Sequence, residues 1–198
     1  MIVVEERGEL LSLKKIILVL WLGLALPGVT ISVAAENEIQ TYRLEIAIDA
    51  PPEFVYPYLI EEDRISRWQK DDSVTVTFPR GIEPRVGKQI KIEMDVISHP
   101  MMLLEIVRLE PGRLVLTEFV DGVLAGEFAY LLQPQPDGST VFIHEMRIKP
   151  VGMVVTVVWE VYGKQMHRKK MWTFMQEIKR IVEEDRRKNK PETTASPQ

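Results

Sequence analysis

The sequence predicts an α+β domain in which a seven-stranded antiparallel sheet curls around one long C-terminal helix, with two short helices after the first strand. Seven segments alternate apolar and polar residues, which is the period of a strand with one buried face. An apolar stripe with helical spacing runs through the last part of the domain. Together these patterns predict that the sheet and the long helix share one core.

The first strand and the two short helices are predicted for residues 41 to 68. Thr41–Asp49 alternates apolar and polar side chains and is predicted to be a strand. The prolines of Asp49–Glu53 are tolerated in the first turn of a helix, so the first short helix begins there. Pro57 must shorten or kink this helix, because proline cannot donate a helical hydrogen bond. The second short helix covers Glu62–Trp68.

Six more strands and the long helix complete the predicted order. Gly112 and Gly138 mark two hairpin turns, in which glycine adopts the positive φ that other residues avoid. The long helix is predicted from about Gly163 to Asp185, because apolar residues recur there at i, i+3, i+4 and i+7. The predicted strands are Val74–Phe78, Lys88–Val96, Met101–Leu109, Arg113–Asp121, Leu124–Gln133 and Ser139–Lys149.

Composition excludes several classes of protein. The 198 residues carry a formal net charge of −4 and include no cysteine. The lack of cysteine excludes a disulfide framework, a thiolate zinc site and a cysteine nucleophile. Without a concentrated basic surface, the sequence predicts no nucleic-acid partner. His99, His144 and His167 lack the spacing of a metal site, so we expect neither a metal nor another cofactor.

The N-terminal segment predicts export or membrane attachment. Lys14-Lys15 precede the apolar run Ile16–Leu26, and small residues stand before Glu36, which is typical of a secretory signal cleaved after Ala35. Such a protein would be periplasmic or extracellular. The uncharged residues 16–35 are also long enough to span a bilayer as an uncleaved anchor, and a buried core helix is the third alternative.

These patterns divide the chain into three parts. The C-terminal stretch is rich in proline, threonine and serine and cannot bury enough apolar surface to offset the cost of ordering. The parts are a signal or anchor at residues 1–35, one folded domain at residues 38–185 and a disordered tail at residues 186–198.

Two stretches carry a resemblance to a known family. The segment IAIDAPPEFVYPYLIEEDRISRW, residues 46–68, and the segment PRVGKQIKI, residues 84–92, resemble the START-like superfamily, also called SRPBCC. This superfamily includes Bet v 1-type allergens, polyketide cyclase-like proteins and lipid-transfer domains. Trp68 stands where its second short helix ends in an aromatic residue, and Gly87 stands at the turn into the third strand. The resemblance covers residues 40–185 and implies a helix-grip fold.

The resemblance also implies an apolar cavity between the sheet and the long helix, which holds a hydrophobic ligand such as a lipid, quinone or isoprenoid. Methionines on the inner faces suit a deformable pocket wall. Each of these side chains can instead simply fill a core. The candidate ligand-binding residues are Trp68, Val76, Phe78, Ile90, Ile92, Met94, Leu104, Ile106, Phe128, Tyr130, Phe142, His144, Met146, Trp159, Met171 and Met175.

Other function classes stay open. The sequence contains no Gly-x-Ser-x-Gly motif, phosphate-binding glycine loop or dinucleotide fingerprint. If the protein is an enzyme of the cyclase or dehydratase kind, His144 and Tyr130 are the expected catalytic pair. His167 falls on the apolar stripe of the long helix, but the basic residues around it also favour a surface position. A protein-interaction module is the weakest alternative.

The run KPVGMVVTVVWEVYG, residues 149–163, departs from the short polar loop that relatives have before the long helix. Its apolar residues from Pro150 to Tyr162 are followed at once by Lys164, Arg168, Lys169 and Lys170. One interpretation is a lid that contacts a membrane surface between Pro150 and Lys170, with cations on anionic head groups. The other is a buried strand or a helix extension that completes the core.

Overall fold

The computed structural model describes residues 38–71, 73–79, 83, 85–95 and 99–189. Its strands pair antiparallel in one sheet, in the order first, seventh, sixth, fifth, fourth, third, second. The predicted α+β fold class is therefore confirmed. The strands are β1 (Gln40–Ile48), β2 (Val74–Thr77), β3 (Gln89–Met94), β4 (Met101–Glu110), β5 (Leu114–Gly122), β6 (Leu124–Pro134) and β7 (Thr140–Pro150).

The register of the sheet decides which side chains share its concave face. Leu44 of β1 lies opposite His144 of β7, and Tyr130 of β6 lies opposite the same histidine. Side chains two residues apart on a strand point to the same face. Phe142 and Met146 therefore lie on that face with His144, as the alternation predicts.

Curvature of the sheet depends on a glycine in β6. Gly126 has a φ of 121°, and a Cβ atom built there would lie 2.1 Å from the carbonyl oxygen of Arg147 on β7. No side chain fits at that distance, so glycine alone lets the two strands approach this closely. Irregular pairing between β4 and β5 around Ile106 also bends the sheet.

Three short helices follow β1, where the sequence predicts two. They are α1 (Pro52–Val55), α2 (Pro57–Ile60) and α3 (Glu62–Trp68). Pro57 has no N–H group for the carbonyl oxygen of Glu53, so it divides the first predicted helix. Pro57 then becomes the first residue of α2, where a missing N–H costs nothing.

Further helical structure precedes the long C-terminal helix that the sequence predicts. Helix α4 (Met153–Val158) leads through a π-helical turn (Trp159–Gly163) into α5 (Lys164–Asn189). The predicted start at about Gly163 is confirmed to within one residue, because α5 begins at Lys164. The strand alternative for the run after Pro150 is wrong, because the run forms a helical extension.

The C-terminal end of α5 is fastened to the short helices by charged groups. Asp185 accepts hydrogen bonds from the hydroxyl of Tyr58 at 2.6 Å and from the guanidinium of Arg67 at 2.6 Å. Arg67, together with the Tyr58 hydroxyl, lowers the pKa of the Asp185 carboxyl to about 2. Arg186 also bonds to Asp49, at the end of β1. The helix continues to Asn189, so the first four residues of the predicted tail are helical.

Buried side chains form two clusters, which we call the helix-side cluster and the strand-side cluster. The helix-side cluster lies under α5 and the short helices and is centred on Phe142, Met175, Ile178 and Val182. The strand-side cluster lies under the π-helical turn and consists of Met102, Leu104, Leu124, Met146, Ile148 and Trp159. Phe128 packs against both clusters. The junction of the clusters therefore lies along β6 and β7, beside His144.

The predicted signal or anchor at residues 1–35 and the tail after Asn189 lie outside the described residues. Among the helices described, none is both long enough and apolar enough to span a membrane.

Candidate ligand-binding face

The concave face of the sheet changes from buried to half-buried between β4 and β3. Met102, Leu104 and Ile106 of β4 are buried. Their neighbours on β3 and β2 are equally apolar, but each keeps part of its surface in contact with solvent. Helix α5 packs mainly on β1, α1 and α3, at the opposite side of the sheet. The half-buried face consists of Val74, Val76, Ile90, Ile92 and Met94.

A pair of histidines lies between the sheet and the long helix. His144 of β7 is 1% exposed, and its Nε2 atom lies 3.3 Å from Nε2 of His167 on α5. One imidazole donates and the other accepts, since two neutral rings can share one proton between these nitrogens. Nδ1 of His144 is buried and has no hydrogen-bond partner among the described residues. The sequence left the orientation of His167 open, and the structure places it inward.

Burial keeps both rings neutral. Desolvation is the main cause that lowers the pKa of His144 well below its usual value, and the nearby His167 lowers it further. Desolvation also lowers the pKa of His167 to about 4. Neutral imidazoles at pH 7 can accept or donate a hydrogen bond to a ligand.

Tyr130, the expected catalytic partner of His144, contacts it through its ring. The two ring centroids lie 5.6 Å apart and the planes are tilted by 52°. Burial raises the pKa of the Tyr130 phenol, so this group holds its proton more firmly than a free tyrosine. The hydrogen bond of His144 goes to His167 instead. Among the described residues, His144 and Tyr130 therefore meet through their rings and share no hydrogen bond.

Aromatic side chains surround His167. The rings of Tyr42 and Trp159 lie 6.3 Å and 6.0 Å from its ring, measured between centroids. The indole N–H of Trp159 donates to the Tyr42 hydroxyl at 2.9 Å, and that hydroxyl donates to Gln40. Trp159 also covers Gly163, where a Cβ atom would lie 2.5 Å from its ring. The π-helical turn is thus held against β1.

The other predicted residues fall into two groups. Trp68 donates its indole N–H to the carbonyl oxygen of Tyr58 at 2.8 Å and stacks edge-on against Phe174. Trp68 therefore packs in the helix-side cluster. Buried or packed within the two clusters are also Phe142, Met146, Trp159, Met171 and Met175. The half-buried group comprises Val76, Phe78, Ile90, Ile92, Met94 and Phe128.

Lys88 is a buried charge that the sequence analysis did not select. It is 1% exposed, and its Nζ atom lies 4.2 Å from the centroid of the Phe78 ring. Burial lowers the pKa of Lys88, and the carboxylate of Glu62 raises it in part. Position 88 has the same parity as Ile90 and Ile92 and therefore shares their face. The alternation of residues along the strand was therefore the sequence signal that could have identified Lys88.

A groove of about 520 Å³ lies between the edge strand β1 and helix α5. It is open to solvent and differs from the internal cavity that the resemblance implies. Its lining is Arg43, Leu44, Glu45, Gln165, Arg168, Lys169 and Trp172. In the part of the chain described here, no three His, Cys, Asp or Glu side chains cluster as metal ligands would.

No family model and no curated protein matches the sequence. Solved structures do match it, at low sequence identity. The chain is similar to the Thermus thermophilus protein TTHA0849, with a TM-score of 0.57 and 14% identity over 72% of this chain and 97% of that one. It is similar to Thalictrum flavum norcoclaurine synthase, solved with dopamine and hydroxybenzaldehyde, with a TM-score of 0.57 and 10% identity over 80% of this chain and 95% of that one.

A third structure, Ara h 8.0201, has a TM-score of 0.53 and 13% identity over 73% of this chain and 97% of that one. These likenesses span nearly the whole of each solved chain. They show that this chain has the START-like fold, of the Bet v 1 or SRPBCC type, and they confirm the resemblance at the level of the fold. In other proteins this fold holds small hydrophobic ligands.

Proposed function

We propose that this protein binds an apolar small molecule of the lipid, quinone or isoprenoid class on the concave face of its sheet. The observation that carries the proposal is the half-buried apolar surface of β2 and β3, beside the fully buried β4. Burying apolar surface stabilises by about 25 cal/mol per Å². A ligand that covers Ile90, Ile92 and Met94 would therefore gain its affinity from surface that the protein leaves in contact with water.

Polar groups on this face support a ligand with at least one hydrogen-bonding oxygen. Nδ1 of His144 is a buried nitrogen without a partner among the described residues, and leaving such a group unsatisfied costs about 1–3 kcal/mol. A hydroxyl or carbonyl oxygen of the ligand would offset that cost. The half-buried apolar side chains of β2 and β3 would hold the rest of the molecule.

Binding is favoured over catalysis by what contacts the histidines. General acid–base chemistry needs a base, an acid and an orienting partner in mutual reach. His144 contacts another neutral histidine and a tyrosine whose pKa burial raises. Such a set can hold a ligand oxygen. The His144–Tyr130 pair that the enzyme alternative requires meets only through a tilted ring contact, since the hydrogen bond of His144 goes to His167.

The cell envelope is the proposed place of action. Residues 16–35 would direct the chain there as a cleaved signal or hold it there as an anchor. Residues 150–170 would meet the membrane surface. A carrier of apolar molecules at a membrane gains from such contact, because its ligands dissolve in lipid and hardly at all in water.

The test is a titration of the full chain with an N-phenylnaphthylamine probe, whose fluorescence rises in apolar surroundings. Ile92→Glu places a charge on the concave face, and we expect its affinity for the probe to fall at least about tenfold, because burying an unpaired carboxylate is costly. Thr77→Glu is the matched control. Thr77 is exposed on the outer face, opposite Lys91, and the new carboxylate faces that cation.

Equal probe affinity in Ile92→Glu and in Thr77→Glu, with both variants folded by circular dichroism, would contradict the proposal. The enzyme alternative would be favoured instead if the wild type turned over a cyclase substrate and His144→Ala still bound that substrate but no longer turned it over.

A further inference from the structure

Large apolar side chains are exposed mainly at one end of the described domain. Of the nine large hydrophobic residues recorded as exposed, Val86 and Trp172 lie apart from this end. Proteins that stay in water usually scatter such residues singly, and a concentrated set marks an interaction site. We name this set the apolar end: Ile39, Val120, Val151, Met153, Val154, Val158 and Val161.

Hydrogen bonds bring the three chain segments of the apolar end together. The backbone N–H of Val151 donates to the carbonyl oxygen of Val123, between β5 and β6. The side chain of Gln40, the residue after Ile39, donates to Glu160 in the π-helical turn at 2.7 Å. The start of β1, the β5–β6 turn and helix α4 therefore lie side by side.

Helix α4 and the turn after it bury Thr156 and Trp159, whereas several of their aliphatic residues, and Glu160, are exposed. Thr156, Trp159 and Gly163 are buried against the sheet. Val154 is 72% exposed, and Met153 and Val161 are more than half exposed. The sheet has already buried one face of this segment, so a second apolar face has no core left to pack against.

The apolar run in the N-terminal sequence favours a membrane as the partner of this face. Residues 16–35 form an uncharged run long enough to span a bilayer, and Gln40 follows Ala35 by five residues. Five extended residues reach at most about 18 Å. If residues 16–35 span a bilayer, the segment that joins them to Gln40 is therefore no longer than that.

The cations that follow the apolar end also favour a membrane as its partner. Lys164, Arg168 and Lys169 follow the outward aliphatic residues within the next two turns of the helix. Arg168 and Lys169 are exposed, and Trp172 lies beside them in the groove at β1. A helix that enters a membrane surface places aliphatic residues at the acyl boundary, and places cations and tryptophan at the head groups. The residues of this segment follow in the same order.

We infer that the apolar end docks on the surface of an anionic bilayer, with the aliphatic face of α4 at the acyl boundary and Arg168 and Lys169 at the head groups. This inference rests on the proposed function, because it names the membrane as the partner of the carrier. Docking in this way orients the sheet end-on, with the start of β1 and the β5–β6 turn nearest the lipid. Ile39 and Val120 thereby join a surface that the sequence assigns to residues 150–170 alone.

The test uses the lack of cysteine in the full chain, which makes single-site labelling clean. Val154→Cys and Val86→Cys each receive an NBD fluorophore, and each labelled full chain is reconstituted in phosphatidylcholine vesicles with and without phosphatidylglycerol. Val86 is 59% exposed and lies before β3, so it is a matched exposed valine away from α4. We expect NBD at position 154 to shift to the blue and to be quenched several-fold more by spin-labelled lipid than NBD at position 86.

Equal lipid quenching at the two positions would overturn the inference. So would protection of position 154 from aqueous iodide without lipid quenching, since that outcome means that a second copy of the chain covers the face. The proposed function fails separately. Val151→Glu/Val161→Glu, introduced into the labelled Val154→Cys chain, should abolish the lipid signal and leave binding of the apolar probe unchanged, because both side chains are exposed and lie off the concave face.

Discussion

Acid should destabilise this protein well above the range in which carboxylates titrate. Burial lowers the pKa of both His144 and His167, the second to about 4, from an ordinary value of 6.5. In the unfolded chain these rings regain water and bind protons near pH 6.5. Between those limits the unfolded state binds more protons than the folded state, so stability falls as the pH falls. The stabilisation is complete above pH 6.5.

The size of the effect follows from the proton count. Each histidine that is neutral in the folded state and charged in the unfolded state changes the free energy of unfolding by about 1.4 kcal/mol per pH unit. Over the window from pH 6.5 to about 4, His167 alone would account for roughly 3 kcal/mol. Domains are usually stable by about 5–15 kcal/mol, so this change is about a third of the total free energy of unfolding.

The assay is urea unfolding followed by tryptophan fluorescence, repeated at several pH values across this window. His144→Phe/His167→Phe removes both titrating groups and replaces them with apolar rings, so its slope of stability against pH should flatten. His99→Gln is the control, because the His99 side chain is 78% exposed in the folded state. The wild-type slope should persist in that variant.

Two results would show that the histidine pair does not cause the acid sensitivity. One is a free energy of unfolding that does not change across the window. The other is a double variant that keeps the wild-type slope, since the lost stability would then come from groups other than the histidine pair.

Three further predictions concern packing and charge. Gly163→Ala should lower the melting temperature despite the better helix propensity of alanine, because its Cβ would lie 2.5 Å from the Trp159 ring; an unchanged melting temperature in a thermal scan would contradict the close packing of the π-helical turn. Met175→Ala, at a fully buried position of the helix-side cluster, should cost about 2–5 kcal/mol in urea unfolding, and a cost below about 1 kcal/mol would mean that α5 packs loosely. Asp185→Asn removes the charged acceptor of Tyr58 and Arg67 and should cost about 2 kcal/mol at neutral pH; if the same variant is as stable as wild type there, the contact adds nothing.

The sequence predicts the strands because alternation is local. In β1 and β3 every second residue is apolar, so each strand can be recognised without knowing its neighbours. The long helix could be recognised for the same reason from its apolar stripe. Pro57 indicated an interrupted first helix, since its effect on the backbone is local too.

The amino-acid composition of residues 153–158 gave no indication that these residues are helical. Residues 153–158 are rich in β-branched valine, which favours strands and lowers helix propensity. Here tertiary packing overrides that preference, because Trp159 anchors the segment to Tyr42 across the fold. A local pattern carries no information about that contact.

The candidate site was predicted only in part. Its strand residues follow from parity, and Lys88 could have been found in the same way. The contact between His144 and His167 could not, because it joins residues of β7 and α5 that only the folded chain brings together. Parity also cannot separate a side chain that fills a core, such as Phe142, from one that lines an open face, such as Ile92.

Native mass spectrometry of the full chain, released gently from membranes of its host, tests the central proposal most directly. We expect one apolar small molecule bound per chain, and we expect Ile92→Glu to release it and Thr77→Glu to retain it. A folded protein that carries no such molecule, and that also fails to bind the N-phenylnaphthylamine probe, would contradict the proposal that the concave face is a ligand site.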